Sequence, residues 1–198
     1  MKTAKMNVIR QGSGEMKQQW LDWVKAFAIA AVLAVIVRVF IFAPVVVEGP
    51  SMLTTLHSGD HLIVSKLHKR LTSPDRFDVV VFHATEQKDY IKRVIGIPGD
   101  HIAYENDQLY VNGERVEEPF LEERKAQLPE DGRLTSDFRM EEDIPGGFEE
   151  VPEGHVFVLG DNRDNSTDSR VLGMIPEEQL VGEAVLSYWP LDRIRIVN

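Results

Sequence analysis

Ser51, in Glu48-Gly49-Pro50-Ser51-Met52-Leu53, and Lys92, in Tyr90-Ile91-Lys92-Arg93-Val94-Ile95, are the two side chains of this sequence best suited to doing chemistry together. A serine hydroxyl is a weak nucleophile until a base takes its proton, and a lysine is that base only when its amine is neutral. A free lysine titrates near ~10.4, so its surroundings must lower that value substantially before it works near neutrality. Strand alternation puts Tyr90, Lys92 and Val94 on one face and Ile91, Arg93 and Ile95 on the other. Lys92 then shares apolar company that disfavours its ammonium, and a neutral Lys92 can deprotonate Ser51 as it attacks a carbonyl. Singly, each residue has a plainer account: Ser51 as a turn-capping residue, Lys92 as a solvated lysine guarding a sheet edge. A third polar run, from Leu159 to Gly173, reads Leu-Gly-Asp-Asn-Arg-Asp-Asn-Ser-Thr-Asp-Ser-Arg-Val-Leu-Gly. In isolation it is a loop, but its short hydrogen-bonding side chains, with Arg163 and Arg170 available to pair Asp161 and Asp168, also suit a shell that fixes a catalytic lysine.

The elements that must position these residues begin with an apolar segment. Val24 to Ala43 gives a helix about 30 Å long, enough to cross a bilayer core. Lys25 and Arg38 lie near its ends, where they can reach headgroups, and Trp20 and Trp23 sit at its near boundary. Pro44 is expected to end the helix. Over residues 1–19, Lys2, Lys5, Arg10 and Lys17 stand against Glu15 alone, which places the short tail in the cytoplasm and the rest outside. The expected organisation is a basic cytoplasmic tail over 1–19, a transmembrane helix over 20–43, and an extracytoplasmic domain over 44–198. A buried core helix or a cleaved leader are the other accounts of the apolar run. Its length and flanks disfavour the first, and Val45-Val46-Val47-Glu48-Gly49-Pro50 is a poor cleavage site for the second.

After Pro44 the pattern becomes strand-like. Val45–Val47, His61–Val64, Val79–Phe82 and Val156–Leu159 are short β-branched runs bounded by turn residues. Asn112-Gly113 between Leu109–Val111 and Glu114–Val116 signals a hairpin, and a further turn is expected before Gln108. Ala184–Trp189 and Arg193–Val197 suggest a closing strand pair around Pro190. The expected fold class is therefore mainly β: one N-terminal transmembrane helix followed by an antiparallel-sheet-rich domain.

The 198 residues, 43% hydrophobic and 27% charged, suffice for one well-filled domain plus an anchor. The net charge of −10 argues against nucleic acid as a partner. Most of that charge lies between Glu117 and Glu153, where thirteen acidic residues face four basic ones. This stretch, poor in β-branched residues, is expected to be an acidic insertion at the surface rather than core. The absence of cysteine excludes disulfides and thiolate chemistry. Of the six histidines, His57, His61, His68, His83, His101 and His155, none sits in a Gly-x-Ser-x-Gly elbow or a zinc-binding pattern, and all rank below Lys92 as a base. Asn165-Ser166-Thr167 matches a glycosylation sequon by coincidence.

The segments Gly49-Pro50-Ser51-Met52-Leu53-Thr54-Thr55-Leu56, Tyr90 to Asp100 and Gly160 to Gly173, in this order after one anchor, resemble the bacterial type I signal peptidases, in the short single-anchor layout of the Gram-positive branch. The likeness covers the anchor and nearly all of the following domain, most thinly across the acidic stretch. It implies a membrane-anchored serine endopeptidase that removes signal peptides from exported preproteins through an acyl-enzyme. It implies Ser51 as nucleophile, Lys92 as general base and Ser166 as the hydroxyl that orients the lysine. Asp161 and Asp168 correspond to aspartates needed for activity or integrity, with Arg170 paired to Asp168, and the Ser51 N–H to part of an oxyanion hole. Thr54 stands where the family usually has proline, and Gly49 where some members place a serine donor. No metal or organic cofactor is implied. The implied partners are signal peptides of secretory preproteins, the lipid bilayer and, by proximity, the protein-export machinery. The implied location is the cell membrane, single-pass, N-terminus inside. The rival account from another class is a non-catalytic anchored β-domain in surface-protein assembly. A self-cleaving serine-lysine regulator lacks any basic DNA-reading segment here.

Overall fold

A computed structural model describes residues 2–67, 73–85, 87–129 and 132–197, with side chains from residue 19 onward. His68, Glu130 and Asp131 lie outside the described residues. The chain forms two units, Met1–Ile41 and Phe42–Asn198.

The first unit is one helix, α1 (Lys2–Phe40), which runs on through the segment expected as a separate tail. Its apolar part, Gln19–Phe40, is 22 residues long with a mean hydropathy of 2.2 and no buried share. Trp20, Phe27, Ile29 and Val32 are all well exposed, so the helix is apolar all round. Such a surface is stable in lipid, whereas in water an amphipathic stripe would suffice. Pro44 does not end this helix. The helix stops at Phe40, and Pro44 sits within strand β1 (Phe42–Val46), opposite Ile63. An edge strand tolerates the missing donor that a helix interior would not.

The second unit is built from antiparallel pairs. Its larger sheet contains β1, β2 (His61–Ser65), β3 (Val79–Thr85), β4 (Lys88–Gly96), β9 (His155–Leu159), β10 (Ile175–Pro176), β11 (Leu180–Trp189) and β12 (Arg195–Ile196). The order is β1-β2-β11-β3-β4-β9-β10, with β12 added to β11. A second sheet contains β5 (Ile102–Glu105), β6 (Gln108–Val111), β7 (Glu114–Val116) and β8 (Phe138–Arg139), in the order β7-β6-β5-β8. The Val-Val-Val-Phe run of β3 is explained by its two faces. Val79 and Val81 pack with Leu62, Val64 and Ile91 on one side, while Val80 and Phe82 pack with Val94, Val156 and Leu180 on the other. A strand buried on both faces needs no polar alternation. Asn112 and Gly113, at φ of 54° and 81°, make the expected tight turn between β6 and β7.

The acidic stretch departs from expectation. Leu121, Leu134, Phe138, Met140, Ile144 and Val151 are all buried. The last four join Tyr104, Leu109 and Phe157 in the core beneath the second sheet. The stretch therefore belongs to the core through isolated apolar anchors, while most of its carboxylates, such as Glu122, Glu142 and Glu149, remain exposed.

Candidate active site

Ser51 stands at the start of a compact turn. Gly49 adopts φ of +89°, a left-handed conformation that disfavours a side chain. Leu53 N–H then donates to Pro50 O at 3.1 Å and Leu56 N–H to Met52 O at 2.7 Å. Met52 and Leu56 anchor this turn from below, at 1% and 0% exposure. Met52 is thus a core pin that also lines the groove described below.

Lys92, on β4, is only 2% exposed, and its Nζ lies 2.8 Å from Ser51 Oγ. It also donates to Ile91 O at 3.0 Å and sits 5.1 Å from the centre of the Tyr90 ring. Burial lowers the Lys92 pKa from its ordinary value to about 8, against the opposing pull of the Asp168 and Asp161 carboxylates. A substantial neutral fraction near physiological pH is what a general base requires.

Asp168 accepts from Gly160 N–H at 3.0 Å and from Arg170 Nε and Nη2 at 2.9 and 2.8 Å. Burial alone pushes its carboxyl up, but Arg170, the Gly160 amide and the Ser166 hydroxyl hold it below the usual carboxylate range. Asp161 is also fully buried, yet its partner is neither Arg163 nor Arg170. Arg93 Nε and Nη2 donate to its two oxygens at 3.0 and 2.8 Å, and Thr55 Oγ1 donates at 2.5 Å. The Arg93 guanidinium in turn stacks on Phe120 at 4.0 Å. Arg163 goes elsewhere: it bonds to Glu118 at 2.5 Å and to Tyr104, and its Nε donates to Gly160 O at 3.1 Å. The Asp168–Arg170 pairing is as expected; that of Asp161 is corrected to Arg93. An arginine in an apolar strand, facing away from Lys92, was the available signal for it.

Ser166 Oγ is buried and makes no hydrogen bond to Lys92. Its place beside the dyad comes through Gly160, where an added Cβ would meet both the Ser166 side chain and Ser51 O, the latter at 2.6 Å. Glycine is required there for close approach of the two loops. Sequence reasoning missed Asn162, whose N–H donates to Ser51 O at 2.9 Å and whose Nδ2 donates to Pro50 O at 3.0 Å. Among the described histidines, none bonds to Ser51: His83 pairs with Asp89, His101 with Glu141, and His61 packs on Tyr188.

Ser51 and Lys92 open onto a groove of about 800 Å³ bounded by residues 45–52 on one side and 87–92 on the other. Among the described residues β1 pairs with β2 alone, which leaves its second edge without a strand partner there. β4 pairs with β9 from Arg93 onward, so among the described residues Lys88–Lys92 have a strand partner on one edge alone. Two free strand edges thus flank the groove, both running toward the dyad in chain direction. An extended peptide between them can satisfy main-chain groups on each side.

Residues 20–189 match the family described as signal peptidase, peptidase S26. Signal peptidase I of Bacillus caldolyticus is 51% identical over 176 residues, covering 89% of this chain and 92% of that protein. Signal peptidase I S of Bacillus subtilis is 42% identical over 185 residues, covering 92% and 96%. The crystal structure of a signal peptidase I from Enterococcus faecalis, 36% identical, superposes with a TM-score of 0.54 over 57% of this chain and 97% of that one.

Proposed function

Because the chain belongs to the signal peptidase family, peptidase S26, we propose that Ser51 is the nucleophile and Lys92 the general base of its reaction. The protein is a membrane-anchored serine endopeptidase that removes signal peptides from preproteins. The observation that carries the residue assignment is the 2.8 Å approach of a buried, pKa-lowered Lys92 to Ser51 Oγ at the head of the groove.

The preprotein segment enters the groove extended, between the free edges of β1 and β4. Lys92 takes the Ser51 proton as Oγ bonds to the carbonyl carbon at the end of the signal peptide. The resulting tetrahedral oxyanion is met by the Ser51 N–H, a donor already fixed before charge develops. Gly49 leaves a second donor to the main chain. Collapse breaks the C–N bond, Lys92 returns the proton to the leaving amine, and the acyl-enzyme is then hydrolysed by water that Lys92 activates. Asp168, fixed by Arg170, and Asp161, fixed by Arg93, keep the loop beside Lys92 in place. The basic residues ahead of Gln19–Phe40 support an N-terminus in the cytoplasm, a single pass through the cell membrane and a catalytic domain outside, near the export machinery. Confinement of enzyme and preprotein to one bilayer raises their encounter concentration.

The test is cleavage of a purified preprotein by the wild type and by Ser51→Ala, Lys92→Ala and Lys92→Arg, each confirmed as folded. Wild type is expected to cut after a small-x-small sequence while the three variants are inactive. Persistent cutting by folded Lys92→Ala would move the base to another residue.

A further inference from the structure

The peptide bond between Pro50 and Ser51 carries the Ser51 N–H on one side and Pro50 C=O on the other. It is trans and planar, so the two groups point in opposite directions and whatever fixes one aims the other. Pro50 O accepts from Leu53 N–H at 3.1 Å and from Asn162 Nδ2 at 3.0 Å, which fills both of its lone pairs. Asn162 N–H also donates to Ser51 O at 2.9 Å. A single residue, 7% exposed, therefore grips the carbonyls on both sides of the nucleophile.

An asparagine amide can present either its oxygen or its nitrogen to a neighbour. Arg124 decides which. Its Nη1 donates to Asn162 Oδ1, and a guanidinium has no acceptor, so the amide oxygen must face Arg124 and the NH2 must face Pro50. Arg124 Nη2, 3.4 Å from Asp164 Oδ2, keeps the guanidinium over the same loop. Arg124 belongs to the helical turn Glu122–Lys125 within the acidic stretch, outside every segment that carried the family resemblance.

We propose that Asn162, oriented by Arg124, is a positioning residue for the oxyanion: it fixes Pro50 C=O and thereby aims the Ser51 N–H at the oxygen of the tetrahedral intermediate. The inference rests on Ser51 being the nucleophile. A hydrogen bond to the carbonyl also polarises the peptide, making its N–H a stronger donor. The oxyanion exists only beyond the ground state, so the effect belongs to kcat and not to substrate binding.

The experiment uses the full chain in detergent. It measures kcat and KM on a preprotein, together with the affinity for a peptide aldehyde that adds to the nucleophile as a hemiacetal. Asn162→Asp is the informative variant. It keeps its size, its pairing with Arg124 and its backbone bond to Ser51 O, but a carboxylate cannot donate to Pro50 O. Loss of a direct oxyanion donor costs about 10²–10³ in kcat, so an indirect loss here is expected to cost about 10- to 100-fold, with KM nearly unchanged and aldehyde affinity reduced in step. Arg124→Met is expected to lose part of the same kcat, and Arg124→Lys, which still donates, to lose less. Folding is checked by thermal unfolding, and the Met and Lys pair at Arg124 carries the same comparison should Asn162→Asp not fold. Wild-type kcat in Asn162→Asp, a change confined to KM, unaltered aldehyde affinity, or equal kcat in the two Arg124 variants would each overturn the proposal. Cleavage that survives Ser51→Ala would instead overturn the underlying assignment of the nucleophile, and the inference with it.

Discussion

Lys92 is held between opposing influences, and their balance sets the pH at which the enzyme works. Burial disfavours its ammonium, while Asp168 and Asp161 favour it, and the outcome is a pKa of about 8. The base is active when neutral, so kcat/KM is expected to rise with pH and level off above about 8. Asp168 is itself held below the ordinary carboxylate range, so it stays ionised throughout that rise. The near-isosteric substitution Asp168→Asn removes a negative charge that stabilises the ammonium. The Lys92 pKa must then fall, and the acid limb of the profile is expected to move to lower pH. A pH–rate profile of the folded variant checks this. A limb that stays put or moves upward would mean that Asp168 acts on geometry alone.

The strand edges provide what no single residue can: a slot that reads a peptide by its backbone. β1 and the first half of β4 each present a free edge to the groove, so a bound segment is expected to lose affinity when its main-chain donors are removed. A substrate peptide N-methylated at one amide two or three residues before the cut should lose kcat/KM by about fivefold, each lost hydrogen bond being worth roughly 1 kcal/mol. An unmethylated peptide of identical side chains is the control, and equal rates would argue against strand addition. At this level much of the molecule was legible in its sequence. The β-branched runs and Asn112-Gly113 declare strands and a hairpin because those residues satisfy local backbone and burial demands. The acidic stretch was not legible, since Leu121, Leu134, Phe138 and Ile144 are single apolar anchors separated by charges and show no period. Pro44 misled because a proline excluded from helices is equally at home in an edge strand. The partner of Asp161 lies 68 positions away on β4, a distance over which sequence carries no pairing signal. The approach of Lys92 to Ser51 was legible only through family resemblance, never through spacing.

Across the whole catalytic unit, the acidic stretch is joined to the loop beside the dyad by charges that have left water together. Glu118 and Arg163 meet at 2.5 Å with side-chain exposures of 1% and 0%, and Thr135 and Tyr104 complete the same buried cluster. Arg163 then holds Gly160 O through Nε, while its own carbonyl accepts from Arg170, the partner of Asp168. A buried ion pair adds little net stability over an apolar replacement, but deleting one member strands the other charge away from solvent. Glu118→Ala is therefore expected to cost about 3 kcal/mol in denaturant unfolding of the full chain. Glu117→Ala, next door but exposed and paired with exposed Arg115, should leave stability nearly unchanged. Because the stranded guanidinium also anchors Gly160, the Glu118 variant should lose activity at temperatures below its unfolding midpoint, as the loop beneath Ser51 and Lys92 loosens first. Loss of activity and of fold at one common temperature would instead assign the pair to global stability only, with no separate hold on the catalytic loop.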